Sequence, residues 1–138
     1  MYIDKENLFS DAQALTATAA STNVIDLGAD RDIGTTNIRF RVSVDTTFQS
    51  TASSTCTIAL QTDSTSAFSS ATTLFTSAAI AKASMTAGAL LVDVAVPRGT
   101  EQYLRAYYTV ATADFTAGAL TAFLAEQTEA RKDYPNAI

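Results

Sequence analysis

Apolar and polar residues alternate strictly along several segments of the chain, most clearly over residues 38–44. Successive side chains of a β-strand point to opposite faces, so such a segment has one apolar and one polar face. The apolar positions are Ile38, Phe40, Val42 and Val44, and the polar positions are Arg39, Arg41 and Ser43. The pattern predicts a half-buried strand with its apolar face toward a core.

Similar patterns recur along the chain and predict about eight strands. They cover residues 15–19, 23–27, 37–45, 56–62, 71–75, 90–96, 103–110 and 119–124. Polar, Gly-containing or Pro-containing segments separate most of them, as is typical of turns. We expect Leu90, Val92, Val94 and Val96 to point inward together, whereas residues 119–124 are apolar on both faces. Residues 77–89 fit either a helical turn or an irregular crossing.

Strands at this spacing favour two stacked sheets. We therefore expect an all-β fold, a jelly-roll β-sandwich of about eight antiparallel strands over residues 15–125; another Greek-key sandwich fits the same spacing. Residues 1–14 show no continuous period and predict an N-terminal arm, and the charged residues 126–138 predict a short C-terminal tail. The length of 138 residues suits one domain with its own core.

One pentapeptide occurs twice. Residues 86–90 and 116–120 both read Thr-Ala-Gly-Ala-Leu, and each copy precedes or opens a predicted strand. We expect the two copies to form equivalent turns that lead into strands. Two copies do not indicate a repeat protein.

Composition narrows the possible functions. The net charge is −5, from 9 basic and 14 acidic residues, and the basic residues form no continuous patch, which argues against nucleic acid as a partner. The chain has no histidine and one cysteine. Cys56 therefore has no disulfide partner within the chain, and a zinc site of the usual kind is not expected. Its alternating neighbours predict an inward strand position.

Membrane association is not expected either. No run approaches the ~20 apolar residues of a membrane-spanning helix. The first residues include Asp4, Lys5, Glu6 and Asp11, where a signal peptide would need an apolar stretch. We expect a soluble product of the cytoplasm, with no membrane partner.

Carboxylates suggest two kinds of site, and in both cases a plainer interpretation is preferred. Calcium ligands are conceivable at Asp26, Asp30 and Asp32. Asp is also frequent in turns, where it accepts backbone hydrogen bonds, and Arg31 lies within the group. A glycosidase-type pair would need Asp93 with Glu101 or Asp114, but nothing in their spacing supports it. We expect no enzyme, no metal and no cofactor.

Two features suggest contact with other proteins. Tyr103, Arg105 and Tyr107 share the outward face of one predicted strand, and these residue types are enriched at protein interfaces. A Tyr-covered sheet face without a partner fits equally well. Over residues 46–92 the only charged residues are Asp63 and Lys82, although soluble monomers usually spread charge over their surface. Part of this region is therefore expected to be covered by another subunit.

Both ends of the chain resemble a known family. Residues 2–15 read Tyr-Ile-Asp-Lys-Glu-Asn-Leu-Phe-Ser-Asp-Ala-Gln-Ala-Leu, and residues 23–28 read Asn-Val-Ile-Asp-Leu-Gly. Together they resemble the start of the capsid cement, or decoration, proteins of tailed phages, the Bordetella phage type in particular. Residues 102–110 and 116–122 are similar to the C-terminal half of that family. The segment 46–87 matches least well.

This resemblance implies a jelly-roll protein on the outside of the assembled icosahedral head, made in the host cytoplasm. It would bridge neighbouring major capsid protein subunits, with a homodimer favoured over a trimer, and needs no active site. We hypothesise that Tyr2, Ile3, Leu8 and Phe9 of the arm contact the capsid or sister subunits, together with the uncharged middle. The rival interpretation is a carbohydrate-binding or host-receptor-binding jelly-roll module. The absence of Trp counts modestly against that rival.

Overall fold

The computed structural model describes residues 7–30, 32–33 and 38–126. These residues form ten strands and a short 3-10 helix, Lys82–Ser84. The strands are β1 (Leu8–Ala14), β2 (Ala19–Ala20), β3 (Ile25–Asp26), β4 (Ile38–Gln49), β5 (Thr55–Asp63), β6 (Thr72–Thr76), β7 (Ile80–Ala81), β8 (Leu90–Ala95), β9 (Tyr103–Ala111) and β10 (Ala117–Glu126). The predicted all-β class is confirmed.

The strands form two antiparallel sheets. The first sheet has the order β1-β10-β4-β8, and the second has the order β2-β9-β5-β6. Strand β3 also pairs with β9, and β7 also pairs with β5. Because β5 and β9 pair with each other, β2 and β3 share one edge of the second sheet and β6 and β7 share the other. Ten strands thus occupy eight positions.

The order of these eight positions identifies the fold. Counted along the chain, the first sheet runs 1-8-3-6 and the second runs 2-7-4-5. Consecutive positions therefore alternate between sheets, except for the adjacent pair 4 and 5, and the first and last strands are neighbours in the first sheet. This is the double Greek key of a jelly roll. The predicted jelly-roll sandwich of about eight strands is confirmed.

The core lies between the sheets and follows the predicted alternation. In β4, Phe40 and Val42 are fully buried and Val44 is 3% exposed, as their spacing predicts. In β9, Leu104, Ala106 and Tyr108 are fully buried. Cys56 of β5 is also fully buried, and burial raises the pKa of its thiol to about 12. The predicted inward position of Cys56 is confirmed, and the thiol stays protonated at neutral pH.

The prediction of an N-terminal arm is wrong for residues 8–14. They form β1, which pairs with β10, and the fully buried Phe9 ring meets the Phe40 ring edge to face with 5.6 Å between centroids. Two irregularities in the pairing, together with a φ of +48° at Ala12, interrupt the two-residue period that would have revealed the strand. Residues 1–6 lie outside the described part of the chain.

The C-terminal boundary is also one residue off, since Glu126 is the last residue of β10. The predicted tail beyond it, residues 127–138, lies outside the described residues. Within β10, both faces carry apolar side chains because the side chains of both faces are buried. Leu120, Ala122 and Leu124 belong to the main core, whereas Phe123 is 5% exposed and belongs to a separate cluster.

The predicted inward position of Leu90 is wrong, since its side chain is 55% exposed. The pairing of β4 with β8 shifts between Val42 and Ser43: Val42 faces Val92, and Ser43 faces Leu90. The strand therefore contains one extra residue at this point, and such a bulge reverses the alternation on one side of it. Val92 and Val96 remain inward, at 4% and 1% exposure.

The undecided segment 77–89 crosses between the sheets in short steps. It contains β7 and the 3-10 helix, followed by Met85, which is fully buried. The Met85 carbonyl accepts a hydrogen bond from the Phe48 amide at 3.0 Å, and the Gly88 amide donates to the Val44 carbonyl at 2.8 Å. The crossing thereby attaches to β4 before β8 begins.

A buried polar contact also links the two sheets. The hydroxyls of Ser10 in β1 and Tyr108 in β9 lie 2.7 Å apart. The Ser10 hydroxyl donates to Gln13 Oε1 at 2.6 Å, so Tyr108 is the donor to Ser10 in this chain of bonds. Burial, the largest influence, raises the pKa of Tyr108. The one polar atom of this large core side chain is thus satisfied.

Candidate functional site

The outer face of β9 carries three of the residues predicted for an interface. Tyr103, Arg105 and Tyr107 are partly exposed and alternate with the buried Leu104 and Ala106. The predicted outward orientation of these three side chains is confirmed. They lie on the second sheet, next to β5 on one side and to β2 and β3 on the other.

Residues of β5 surround Arg105 through the strand register. Gln61 faces Arg105 directly, with Ala59 opposite Tyr107 and Asp63 opposite Tyr103. The Arg105 Nε donates a hydrogen bond to Gln61 Oε1 at 2.8 Å. Directly opposed residues on a sheet face have their Cβ atoms close enough for such contact. This bond fixes one edge of the guanidinium group against the sheet.

Two aromatic rings hold the rest of the guanidinium. Its central carbon lies 4.4 Å from the centroid of the Phe68 ring and 5.2 Å from that of Tyr107. Both distances are within the range of cation–π attraction. Phe68 comes from the loop between β5 and β6 and is 8% exposed, so this loop folds back over the outer sheet face. We call Gln61, Phe68, Arg105 and Tyr107 the Arg105 cluster.

The loop that carries Phe68 is held by Asp63 at the end of β5. Its carboxylate accepts hydrogen bonds from the Ser70 amide at 2.9 Å and the Thr65 amide at 3.2 Å. These bonds, chiefly that from Ser70, lower the pKa of Asp63. The loop backbone is unusual at Phe68, where φ is +53°, a conformation that non-Gly residues seldom adopt. Asp63 therefore contributes to the position of the Phe68 ring.

The arginines of the two outer sheet faces differ in their charge partners. On the first sheet, Arg39 and Arg41 both donate to Asp93 Oδ1, at 2.6 and 3.2 Å. Arg39 also donates to the Asp93 backbone carbonyl at 2.8 Å. Arg105 on the second sheet forms no ion pair within the part of the chain that the structure describes. Its guanidinium contacts the rings of Phe68 and Tyr107 and the side-chain amide of Gln61, and none of these groups carries a negative charge that would neutralise it.

The other predicted interface residues are not brought to this surface. Phe9 is fully buried in the core, so its predicted contact with another subunit is wrong. Leu8 is 8% exposed and belongs with Phe123 and Ala125 to the small cluster of the first sheet. Tyr2 and Ile3 lie outside the described residues. The structure thus separates Leu8 from the β9 residues by placing them on different sheets.

The carboxylates considered for calcium serve as turn residues. Asp26 accepts from the Gly28 amide at 2.8 Å and from the Gln102 side chain at 3.0 Å, and these two bonds lower the pKa of Asp26. Asp30 accepts from the Gln102 amide, and Asp32 from the Gly99 amide. Within the described ranges, no three His, Cys, Asp or Glu residues are grouped in a way that could hold a metal ion.

An open depression of about 330 Å³ lies away from the Arg105 cluster, near the end of β4. Among its described lining residues, Lys82 is the only ionisable one, and its ammonium donates to the Ser50 carbonyl at 2.8 Å. The remaining lining is Thr47, Phe48, Gln49, Ser50, Ala83 and Thr86. These residues supply no paired acid and base for catalysis.

Sequence reasoning missed two members of the Arg105 cluster, Gln61 and Phe68. Gln61 was visible as an outward residue of a predicted strand, but its contact with Arg105 depends on the pairing of β5 with β9. Phe68 is a lone aromatic in a Ser/Thr-rich loop, 37 residues before Arg105. An aromatic residue in such a polar loop was the one signal that the loop packs against something.

Among the described residues, no helix is long and apolar enough to cross a membrane.

Comparison with known proteins places the chain in a family. A search of curated proteins gave no match. A family model described as Bbp16 matches residues 9–124, from the second residue of β1 to the inner residue Leu124 of β10. The name indicates a Bordetella phage protein, in agreement with the resemblance at the two ends of the chain. The chain therefore belongs to the Bbp16 family.

Proposed function

We propose that this protein is a structural cement, or decoration, protein of a tailed-phage capsid. It binds the outer surface of the assembled head and bridges neighbouring major capsid protein subunits, which stabilises the shell. Its partners in this role are the major capsid protein and a second copy of itself, with a homodimer favoured over a trimer. It is made in the host cytoplasm and acts on the virion without catalysis.

The observation that carries this proposal is the Arg105 cluster on an open sheet face in a chain of a phage family. Arg and Tyr, the residue types of this face, dominate the binding energy of many protein interfaces. A sandwich of fixed shape presents such a face without the entropy loss of ordering a flexible segment. Repetition over a capsid lattice then turns modest single contacts into firm attachment.

The test uses heads of the encoding phage that were assembled without this protein. Purified protein is added to expanded and to immature heads, which are then sedimented and analysed for bound copies. We expect binding to saturate at a fixed number of copies per expanded head. Decorated heads should also release their DNA at a higher temperature than bare heads, because the bridges must break first.

Two results would contradict the proposal. One is protein that stays in the supernatant at all concentrations. The other is binding without any gain in the thermal resistance of the heads. Binding to glycans at micromolar strength without binding to heads would instead favour a carbohydrate-binding or receptor-binding module. The mass of the free protein in solution, measured by light scattering, tests the homodimer separately.

A further inference from the structure

We propose that Arg105 is a preformed docking point for a carboxylate of a partner protein, an Asp or Glu side chain on the outer surface of the head. This inference rests on the proposed function, since it names the chemistry of the partner surface. It concerns one residue and one kind of partner group, so it can fail while the cement role stands.

The first argument is the charge of Arg105. Arg39 and Arg41 share a carboxylate within the chain, whereas Arg105 forms no ion pair among the described residues. Lys82 donates to a backbone carbonyl. Arg105 is partly exposed, so its charge is accessible to a partner. Arg98 also forms no ion pair among the described residues, but it lies exposed in the turn after β8, and no cation–π contact is found for it in that part of the chain.

The second argument is the orientation of the guanidinium. The Nε group donates its hydrogen bond to Gln61 Oε1, and the rings of Phe68 and Tyr107 lie within cation–π range of the guanidinium. No hydrogen bond of the two Nη groups is found among the described residues, so four N–H donors at the end of the fork are free. A planar fork of this kind binds a carboxylate through two parallel hydrogen bonds. Since the side chain is already held, less entropy is lost on binding.

The third argument concerns the class of partner. Binding to a nucleic acid backbone requires several cations along a track, because its affinity comes from neutralising many phosphates. Here a single arginine lies among Tyr, Phe and Gln, and Asp63 is nearby at the end of β5. This combination of one cation with aromatic rings is typical of a protein interface. A protein carboxylate is therefore the favoured ligand.

The experiment measures binding of variants to the same expanded heads. Arg105→Gln removes the charge but keeps a side chain able to meet Gln61, and Arg105→Lys keeps the charge without the planar fork. Arg98→Gln is the matched control, because Arg98 is an exposed arginine in the turn after β8. We expect Arg105→Gln to weaken binding about 30-fold, as for an interface hot spot. Arg105→Lys should cause a smaller loss, and Arg98→Gln none.

A second arm modifies the heads. Amidation of their surface carboxylates with a carbodiimide and glycinamide should weaken wild-type binding, and treatment with a phosphatase should not. After amidation, wild-type protein and Arg105→Gln should bind equally, because the group that Arg105 recognises is gone. A greater effect of phosphatase than of amidation would overturn the carboxylate as ligand.

The outcomes separate this inference from the proposed function. If wild-type protein does not bind heads, the cement role itself is wrong. If wild-type protein binds and Arg105→Gln binds equally well, the cement role stands and the Arg105 docking point is wrong. Unchanged urea denaturation of the Arg105 variants shows that any loss comes from the surface. If Arg105→Gln unfolds, Phe68→Ala replaces it as the test variant, because it removes one ring from the guanidinium and keeps the charge. Unchanged binding by Phe68→Ala would contradict the proposal that Arg105 is preformed for its partner.

Discussion

The two copies of Thr-Ala-Gly-Ala-Leu have the same sequence and different environments. Both run beside β4, one along each of its edges, since β8 and β10 are its two neighbours. Leu90 at the end of the first copy is 55% exposed, whereas Leu120 at the end of the second is fully buried. A Cβ on Gly88 would meet no atom within 4 Å, but one on Gly118 would lie 2.3 Å from Phe48 Cδ2.

The difference arises from the register with β4 rather than from the pentapeptide. In the first copy the bulge near Ser43 turns Leu90 to the outer face. In the second, Leu120 faces Val44, an inward residue, and regular pairing continues from there to Glu126. In the first copy Ala87 and Gly88 form a turn, in which the Ala89 amide donates to the Thr86 carbonyl at 2.9 Å, whereas residues 117–120 of the second copy already belong to β10. The expectation of equivalent turns is therefore wrong, although both copies lie beside β4.

Among substitutions in the two pentapeptides, Leu120→Ala should have the largest effect on stability. Removing a fully buried leucine side chain should lower the free energy of unfolding by about 2–5 kcal/mol, since transfer and cavity terms add. Urea denaturation at one fixed protein concentration measures the loss. A cost below about 1 kcal/mol would show that Leu120 is not packed as described.

Gly118→Ala should have the second-largest effect, about 2–4 kcal/mol. The φ of +141° strains any residue with a Cβ, and the new methyl group would overlap the Phe48 ring. The same urea denaturation measures it. A neutral result would mean that β10 does not begin with this backbone conformation.

A double mutant separates the two causes of that loss. In a Phe48→Leu background the ring is absent, so Gly118→Ala should cost less than in the wild type, with a coupling of roughly 0.5–3 kcal/mol. The remaining cost reports the backbone strain alone. Additive losses would indicate that contact with Phe48 plays no part.

The sequence alone was sufficient to predict the inward residues of a strand where one face of that strand is buried without interruption. The alternation in β4 and β9 gave the correct inward residues, including Phe40 and Tyr108, because burial enforces the two-residue period. The spacing of such segments also gave the double-sheet class. The jelly-roll order itself depends on long-range pairing, which periodicity does not report, so there the family resemblance carried the prediction.

Residues 15–18 alternate as a strand would but belong to no strand, since β2 begins at Ala19. Two other errors occurred where the period is broken. Irregular pairing concealed β1, and a bulge turned Leu90 outward. The candidate site shows the same limit: Tyr103, Arg105 and Tyr107 could be placed on one face from the sequence. Gln61 and Phe68 could not be added to them, because their contacts with Arg105 depend on strand register and on a folded loop.

Gly88→Ala should cost less than Gly118→Ala, about 1 kcal/mol. The φ of +89° is unfavourable for alanine, but a methyl group there would meet no neighbour within 4 Å. Thermal and urea denaturation of Gly88→Ala and Gly118→Ala, measured side by side, should therefore give clearly different midpoints. Equal losses would mean that backbone strain alone accounts for both and that Phe48 adds nothing.

Leu90→Ala should have the smallest effect, within about 0.5 kcal/mol of the wild type, as for other surface substitutions. The side chain is already largely in water, so its removal leaves no cavity and exposes little new apolar surface. The comparison with Leu120→Ala is then a direct test of the bulge, because both substitutions remove the same atoms from the same pentapeptide. If β8 instead continued its alternation without the bulge, Leu90 would face the core and the two losses would be similar.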